Sequence, residues 1–162
     1  MPTLLIPTTE IVAAELIKTF DNVDPGQVAT SVPDPAITDW SAAGFVQVAS
    51  FGGTPSSSAA LLRSAVSVDT WAYNRNSTRP PWGKANVLAM KIWAATWNRI
   101  YLDNRVVMRR LDLSDVAGKN FGQVLVLSAY ALTEPARRTN DPANWAHYGF
   151  DLRVNWSVLT TP

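Results

Sequence analysis

From Tyr148 to Val158 apolar and polar side chains alternate without a break. Tyr148, Phe150, Leu152, Val154, Trp156 and Val158 take the even positions, and Gly149, Asp151, Arg153, Asn155 and Ser157 the odd ones. Successive side chains of a strand point to opposite faces, so this period of two predicts one long strand with one face buried. Parallel strands are covered on both faces and read as continuous apolar runs, so the alternation predicts antiparallel neighbours. A strand of this kind cannot stand alone. It requires partner strands and a cover for its apolar face.

The rest of the chain supplies both. Thr8-Thr9-Glu10 opens a helix, with either threonine available as cap and the glutamate favourable in the first turn. Ile11, Ala14, Ile17 and Phe20 follow at helical spacing, and Asp24-Pro25-Gly26 ends the element. A short strand is expected over 28–32, stopped by Pro33-Asp34-Pro35. A second is expected over 45–51, closed by Gly52-Gly53, whose glycines suit unusual backbone angles. Residues 53–58 are small and polar and predict a loop. A strand over 64–73 places Val66, Val68 and Thr70 on one face and Ser67, Asp69 and Trp71 on the other. After a long loop over 74–83, a helix is expected over 84–102. Its stripe is Ala85, Leu88, Ala89, Ile92, Trp93, Thr96, Trp97 and Ile100, and Asp103-Asn104 ends it. Strands over 106–113 and 123–133 and a long loop over 134–144 lead to the final strand. The expected fold is α+β: a single domain over 1–162, with one antiparallel or mixed β-sheet and two helices packed on one face.

Composition bounds the function. Of the 162 residues, 47% are hydrophobic and 17% charged, below the ~25% of ordinary soluble domains, which suggests surface turned toward another protein. With 14 basic and 13 acidic side chains, the net charge of +1 argues against a dedicated nucleic-acid binder. The absence of cysteine removes disulfides, cysteine zinc sites and thiol nucleophiles. No basic leader opens the chain, and the longest strongly apolar run, 124–132, is too short to span a bilayer, so the expectation is a chain made and folded in a cytoplasm.

Catalytic patterns are sparse. His147 is the single histidine, without a Gly-x-Ser-x-Gly elbow, and at a strand edge it reads as structural or solvent-facing. Asp112 and Asp115 read as a polar turn, since a hard cation needs more oxygen ligands. Gly52-Gly53 lacks the Gly-Lys-Ser/Thr of a phosphate loop. The triplets at Asn76 and Asn155 read as chance glycosylation matches. No cofactor and no metal site is expected.

Interaction patterns are richer. Among the seven tryptophans, Trp93, Trp97 and Trp156 fall on apolar faces and read as core. Trp82 and Trp145 fall in or beside long loops, Trp82 directly after Pro80-Pro81. They read either as pins that hold their loops or as anchors for a partner protein, where aromatics are favoured. Arg75 and Arg79 share one loop, and Arg137 and Arg138 another. Such pairs are solvated or, on the inner wall of a ring, face passing DNA through phosphate attraction.

In segment order the chain resembles the tail-terminator proteins of siphophages, those of phages infecting actinobacteria above all. The resemblance runs through the helix at 9–21, Val-x-Thr-x-Val-Pro-Asp-Pro at 28–35, Phe45-Val46-Gln47-Val48 with Gly52-Gly53, the stretch 66–72, the Ala-rich helix at 85–101, and the strands at 123–133 and 148–158. The longer 74–83 loop with Pro80-Pro81-Trp82 and the long final strand depart from it. The resemblance implies a homo-hexameric ring that caps the tail tube and stops its polymerisation. It further implies docking to a head-side neck or stopper protein, DNA passing through the lumen, no membrane, and a place in the virion at the tail–neck junction. The competing expectations are another neck ring protein (head completion or stopper), a tryptophan-based carbohydrate-binding module, and a small hydrolase around His147.

Overall fold

A computed structural model describes residues 5–52, 61–97, 106–139 and 141–159. The expected loop at 53–58, the helix end at 98–104 with Ile100, and the side chain of Trp97 lie outside them. Helix α1 spans Thr9–Ile17, followed by a 3-10 turn at Pro25–Gln27. The strands are β1 (Val28–Ala29), β2 (Phe45–Ser50) and β3 (Leu62–Tyr73). Helix α2 (Trp82–Trp97) follows, then β4 (Val106–Asp112), β5 (Gln123–Ala131), β6 (Ala136–Arg138) and β7 (Trp145–Leu159). The fold is α+β, with one mixed seven-stranded sheet ordered β1-β2-β3-β7-β5-β4 and β6 paired to β7. Only β1 and β2 run parallel.

The alternating segment is the centre of the sheet. One edge of β7 pairs with β3 from Tyr73↔Trp145 to Leu62↔Trp156. Its other edge is shared: β6 takes Gly149 to His147, and β5 takes Leu152 to Leu159. Phe150, Leu152, Val154 and Trp156 are fully buried, and the even side chains of β3, Val66 and Val68, join them. Both helices cover this face. Val12, Leu16 and Ile17 of α1 and Leu88 and Ile92 of α2 belong to the same core. Two polar contacts fix the helices: Trp156 Nε1 donates to Thr9 Oγ1 at 3.1 Å, and Thr70 Oγ1 donates to the Ala85 carbonyl at 2.9 Å.

Local chemistry departs from expectation at several boundaries. Thr8 occupies the N-cap position of α1, but its side chain makes no capping bond, and Thr9 serves Trp156 instead. Asp24 does act as a cap, accepting from the Gly26 amide within the 3-10 turn. The first strand is two residues long and ends before Val32, which packs with a separate aromatic group. Helix α2 starts at Trp82, inside the expected loop. The Pro81 carbonyl accepts from the Lys84 and Ala85 amides, so the two prolines lead straight into the first turn. The 134–144 segment, expected as loop throughout, contains β6. Its three residues are all exposed, and one alanine beside two arginines gives no apolar alternation to mark a strand. Trp93, expected as core, is half-buried, and its Nε1 donates to the Thr133 carbonyl.

One distortion matters for the open face. β5 shifts register between Val126 and Ser128, and across from it Met108 of β4 holds φ 51°. The shift resets side-chain parity, so Val124, Val126 and Ala129 all reach the core while Ser128 and Tyr130 turn to the other face.

Candidate functional site

With the helices on one face, the odd positions of β3 and β7 pave the opposite face. At one end stands an aromatic cluster. Trp40, Phe45 and Tyr73 are buried, and Trp71 and Trp145 pack against them. No second hydrophobic group was expected from the sequence, because its members come from four distant segments and share no period. Trp145 lies 5.1 Å from Trp40 and 5.7 Å from Trp71, both edge-on, and is stacked 5.9 Å from Tyr73. Gly44 turns the chain beneath Trp71 with φ 82°, where a Cβ would sit 2.8 Å from the Trp71 carbonyl.

Next along the face is the histidine. His147 is half-buried inside β7 rather than at a strand edge. Its Nε2 lies 2.8 Å from Asp69 Oδ1 and its Nδ1 3.5 Å from Asp141 Oδ2. Ser67 Oγ donates to Asp69 Oδ2 at 2.9 Å, not to the imidazole. A nucleophile–base pair needs the hydroxyl on the imidazole, so this arrangement instead sets the loop at 141–144 against the sheet through Asp141. Gly149 sits beneath it: a Cβ there would meet Asp69 Oδ1 at 2.6 Å and Arg138 Nε at 2.9 Å.

The sequence-predicted residues separate into distinct places. Trp82 opens α2, half-buried, 6.1 Å from the Tyr148 ring, with the Arg137 guanidinium 4.2 Å above its own. Pro80 and Pro81 are half-buried at the same helix start. Trp145 sits across the sheet in the aromatic cluster, so the two loop tryptophans do not form one patch. Arg137 and Arg138 also divide. Arg137 lies over Trp82 on the helix side, and Arg138 lies over Gly149 on the open side. The physical reason is that both stand in β6, where neighbours alternate. Arg75 and Arg79 remain together in an exposed loop. Arg75 is 3.0 Å from Asp39, while the Arg79 carbonyl accepts from the Asn74 side chain. That loop is joined to the 141–144 loop by the Asn74 amide donating to the Asn144 carbonyl and Asn144 Nδ2 donating to the Asn74 carbonyl.

Asp112 and Asp115 each hold their own turn: Asp112 accepts from the Ser114 amide and Asp115 from that of Gly118. Hydrogen bonding from Ser114 lowers the Asp112 carboxyl below its usual range. Among the described residues, no group of three or more acidic or histidine side chains is arranged to hold a metal ion, and no helix is long and apolar enough to cross a membrane. Compared with known protein families and with curated proteins, the chain matches none.

The surface that stands out is the sheet border at β4. Its outer edge has no strand partner among the described residues. Val107 and Met108 there are 54% and 60% exposed, with Tyr130 on β5 and Leu132 just past its end at 43% and 44%. Beside them a cleft of about 290 Å³ is lined by Leu61, Arg63, Leu127, Ser128, Tyr130, Arg153 and Asn155. The sequence reading singled out neither the cleft nor the Asp69–His147–Asp141 cluster. Strand parity put Asp69 and Trp71 on the open face but could not say which residue of β7 lies opposite.

Proposed function

We propose that this chain is a structural ring subunit of the siphophage tail-terminator type, located at the junction of tail and neck. The observation that carries the reading is the unpaired β4 edge with its exposed Val107 and Met108. A free strand edge is a template for main-chain pairing with another chain, and isolated proteins usually protect such edges. Where that edge meets a different surface of the next copy the contact is heterologous, and repeated contacts close into a ring if the rotation permits, whereas the edge pairing with itself would stop at a two-fold dimer. The low charged fraction of the chain agrees with extensive covered surface. In such a ring, the joined 74–81 and 141–144 loops face an adjoining ring of tail-tube or neck protein, and exposed Arg79 is available to the phosphates of passing DNA.

A carbohydrate module gains less support. A sugar platform needs a free aromatic face, whereas Trp82 is covered by Arg137 and Trp145 is stacked on Tyr73.

The test has two parts. Sedimentation and negative-stain imaging of the purified chain should show rings of about six copies, the closed cyclic symmetry expected of heterologous contacts. Added to polymerising tail-tube protein, the chain should stop tubes at finite length. A protein that stays solitary at every concentration and leaves tube growth unchanged overturns the proposal.

A further inference from the structure

The cleft beside β4 holds two cations that enter no ion pair among the described residues. Arg63 and Asn155 are register partners, as are Ala65 and Arg153, so the two arginines are diagonal neighbours on the open face. Tyr130 lies directly opposite Arg153 on the other side of β7. Arg153 is half-buried, and its Nε is shielded from solvent without a hydrogen-bond partner. Among the described residues, neither guanidinium enters an ion pair. Asp151, two residues along the same face, also leaves Oδ1 buried without a partner rather than reaching Arg153. Buried polar groups are ordinarily satisfied, and a ligand carrying an acceptor is one way to satisfy this one.

The walls indicate what kind. Leu61, Leu127 and Tyr130 line the cleft, and the exposed Val107 and Leu132 extend the apolar surface beyond it. Leu127 is the residue carried at the register shift of β5, so the distortion itself builds one wall. Two guanidiniums set in an apolar surround match a carboxylate on a protein segment. A DNA backbone asks for an extended row of cations and offers little to apolar walls. The chain carries a suitable carboxylate of its own. Asp115, exposed in the turn that follows β4 and so off the strand edge itself, has no cationic partner among the described residues.

We propose that Arg63 and Arg153 form the acceptor for a carboxylate presented by a second copy of this chain, so that this cleft and the adjoining β4 edge make one continuous subunit contact. This rests on the ring reading above and adds to it the residues that fix neighbour against neighbour. A paired, desolvated carboxylate satisfies both cations at once and sets the register of an edge that main-chain bonds alone would leave free to slide.

The test is sedimentation velocity on the full chain over a range of concentration and salt, for the wild type, Arg63→Gln and Arg63→Gln/Arg153→Gln. Arg63 is exposed, so its single variant reports on association even where Arg153→Gln weakens folding. Self-association should weaken about tenfold or more in the double variant and by a smaller factor in the single one, with reduced salt sensitivity in both. Assembly of the wild type with unchanged assembly of both variants overturns this inference and leaves the ring reading standing. A wild type that never associates overturns both. Loss of affinity for a DNA duplex in variants that assemble normally assigns the arginines to nucleic acid and also overturns the inference.

Discussion

The imidazole of His147 lies flat on the indole of Trp71, with ring centroids 3.7 Å apart and planes 18° from parallel. The two residues are direct partners across β3 and β7, and Asp69, two residues from Trp71, takes the imidazole nitrogen. One side chain therefore joins the aromatic cluster, a half-buried carboxylate and, through Asp141, a loop. His147→Ala should lower stability by about 1–3 kcal/mol, because Asp69 Oδ1 loses its imidazole partner and a gap opens on Trp71. Urea denaturation followed by tryptophan fluorescence measures this. A change under about 0.5 kcal/mol, the level of an ordinary surface substitution, would show that the contact is incidental.

Gly149 is constrained by what lies over it rather than by its backbone angles. In Gly149→Ala the new methyl meets Asp69 Oδ1 at 2.6 Å, and that oxygen is already held by His147. A cost of about 1–3 kcal/mol is expected from the overpacking. The same substitution in an Asp69→Ala background should cost less, giving a measurable coupling in a double-mutant cycle. Strict additivity would contradict this geometry.

The bond from Trp156 to Thr9 is a buried polar tie of α1 to the sheet. Thr9→Val removes the acceptor and leaves the indole N–H unpaired, at a cost of about 1–3 kcal/mol. Trp156→Phe removes the donor, so adding Thr9→Val to that background should cost little more. Trp156→Ala empties a fully buried site and should cost about 3–5 kcal/mol. Thermal and chemical unfolding of the four variants give the comparison.

Asp39 and Tyr73 give the pH dependence. Hydrogen bonds from Ser41, then from Tyr73, with a smaller contribution from Arg75, lower the Asp39 carboxyl to about 2. The folded state binds its proton less readily than the unfolded chain, so this contribution is present above the ordinary value of 3.8 and fades as pH falls toward about 2. Burial first, and then the Asp39 hydrogen bond, raise the Tyr73 phenol above 10.0. Its contribution is complete below that value and is lost as pH rises past it. Asp39→Asn should flatten the acid side of the stability profile, and Tyr73→Phe the alkaline side. Profiles identical to wild type would refute both assignments.

Periodic elements were legible. β7 follows from strict parity, extended by three residues at its start and one at its end. In α2 the expected Ala85, Leu88, Ala89, Ile92 and Thr96 are all buried. β6 was not legible, since Ala136, Arg137 and Arg138 are all exposed and form no apolar alternation. The aromatic cluster was not legible either, since Trp40, Tyr73 and Trp145 are separated by tens of residues. Trp82 shows the middle case. Its place after two prolines was visible, but whether it ended a loop or began a helix depended on the Pro81 carbonyl receiving the first helical amides.

The sequence by itself determined which side chains share a face, because the periods of strand and helix are properties of the local backbone. It therefore settled the α+β class, the buried side of β7 and the stripe of α2. The tertiary structure decided which faces and edges meet: Trp71 with His147, Arg63 beside Arg153, Arg137 and Arg138 on opposite sides, and β4 at the border. Those neighbours come from segments far apart in the chain. Their register is set by the joint burial of the whole core and by a local shift in β5, which no short stretch of residues encodes.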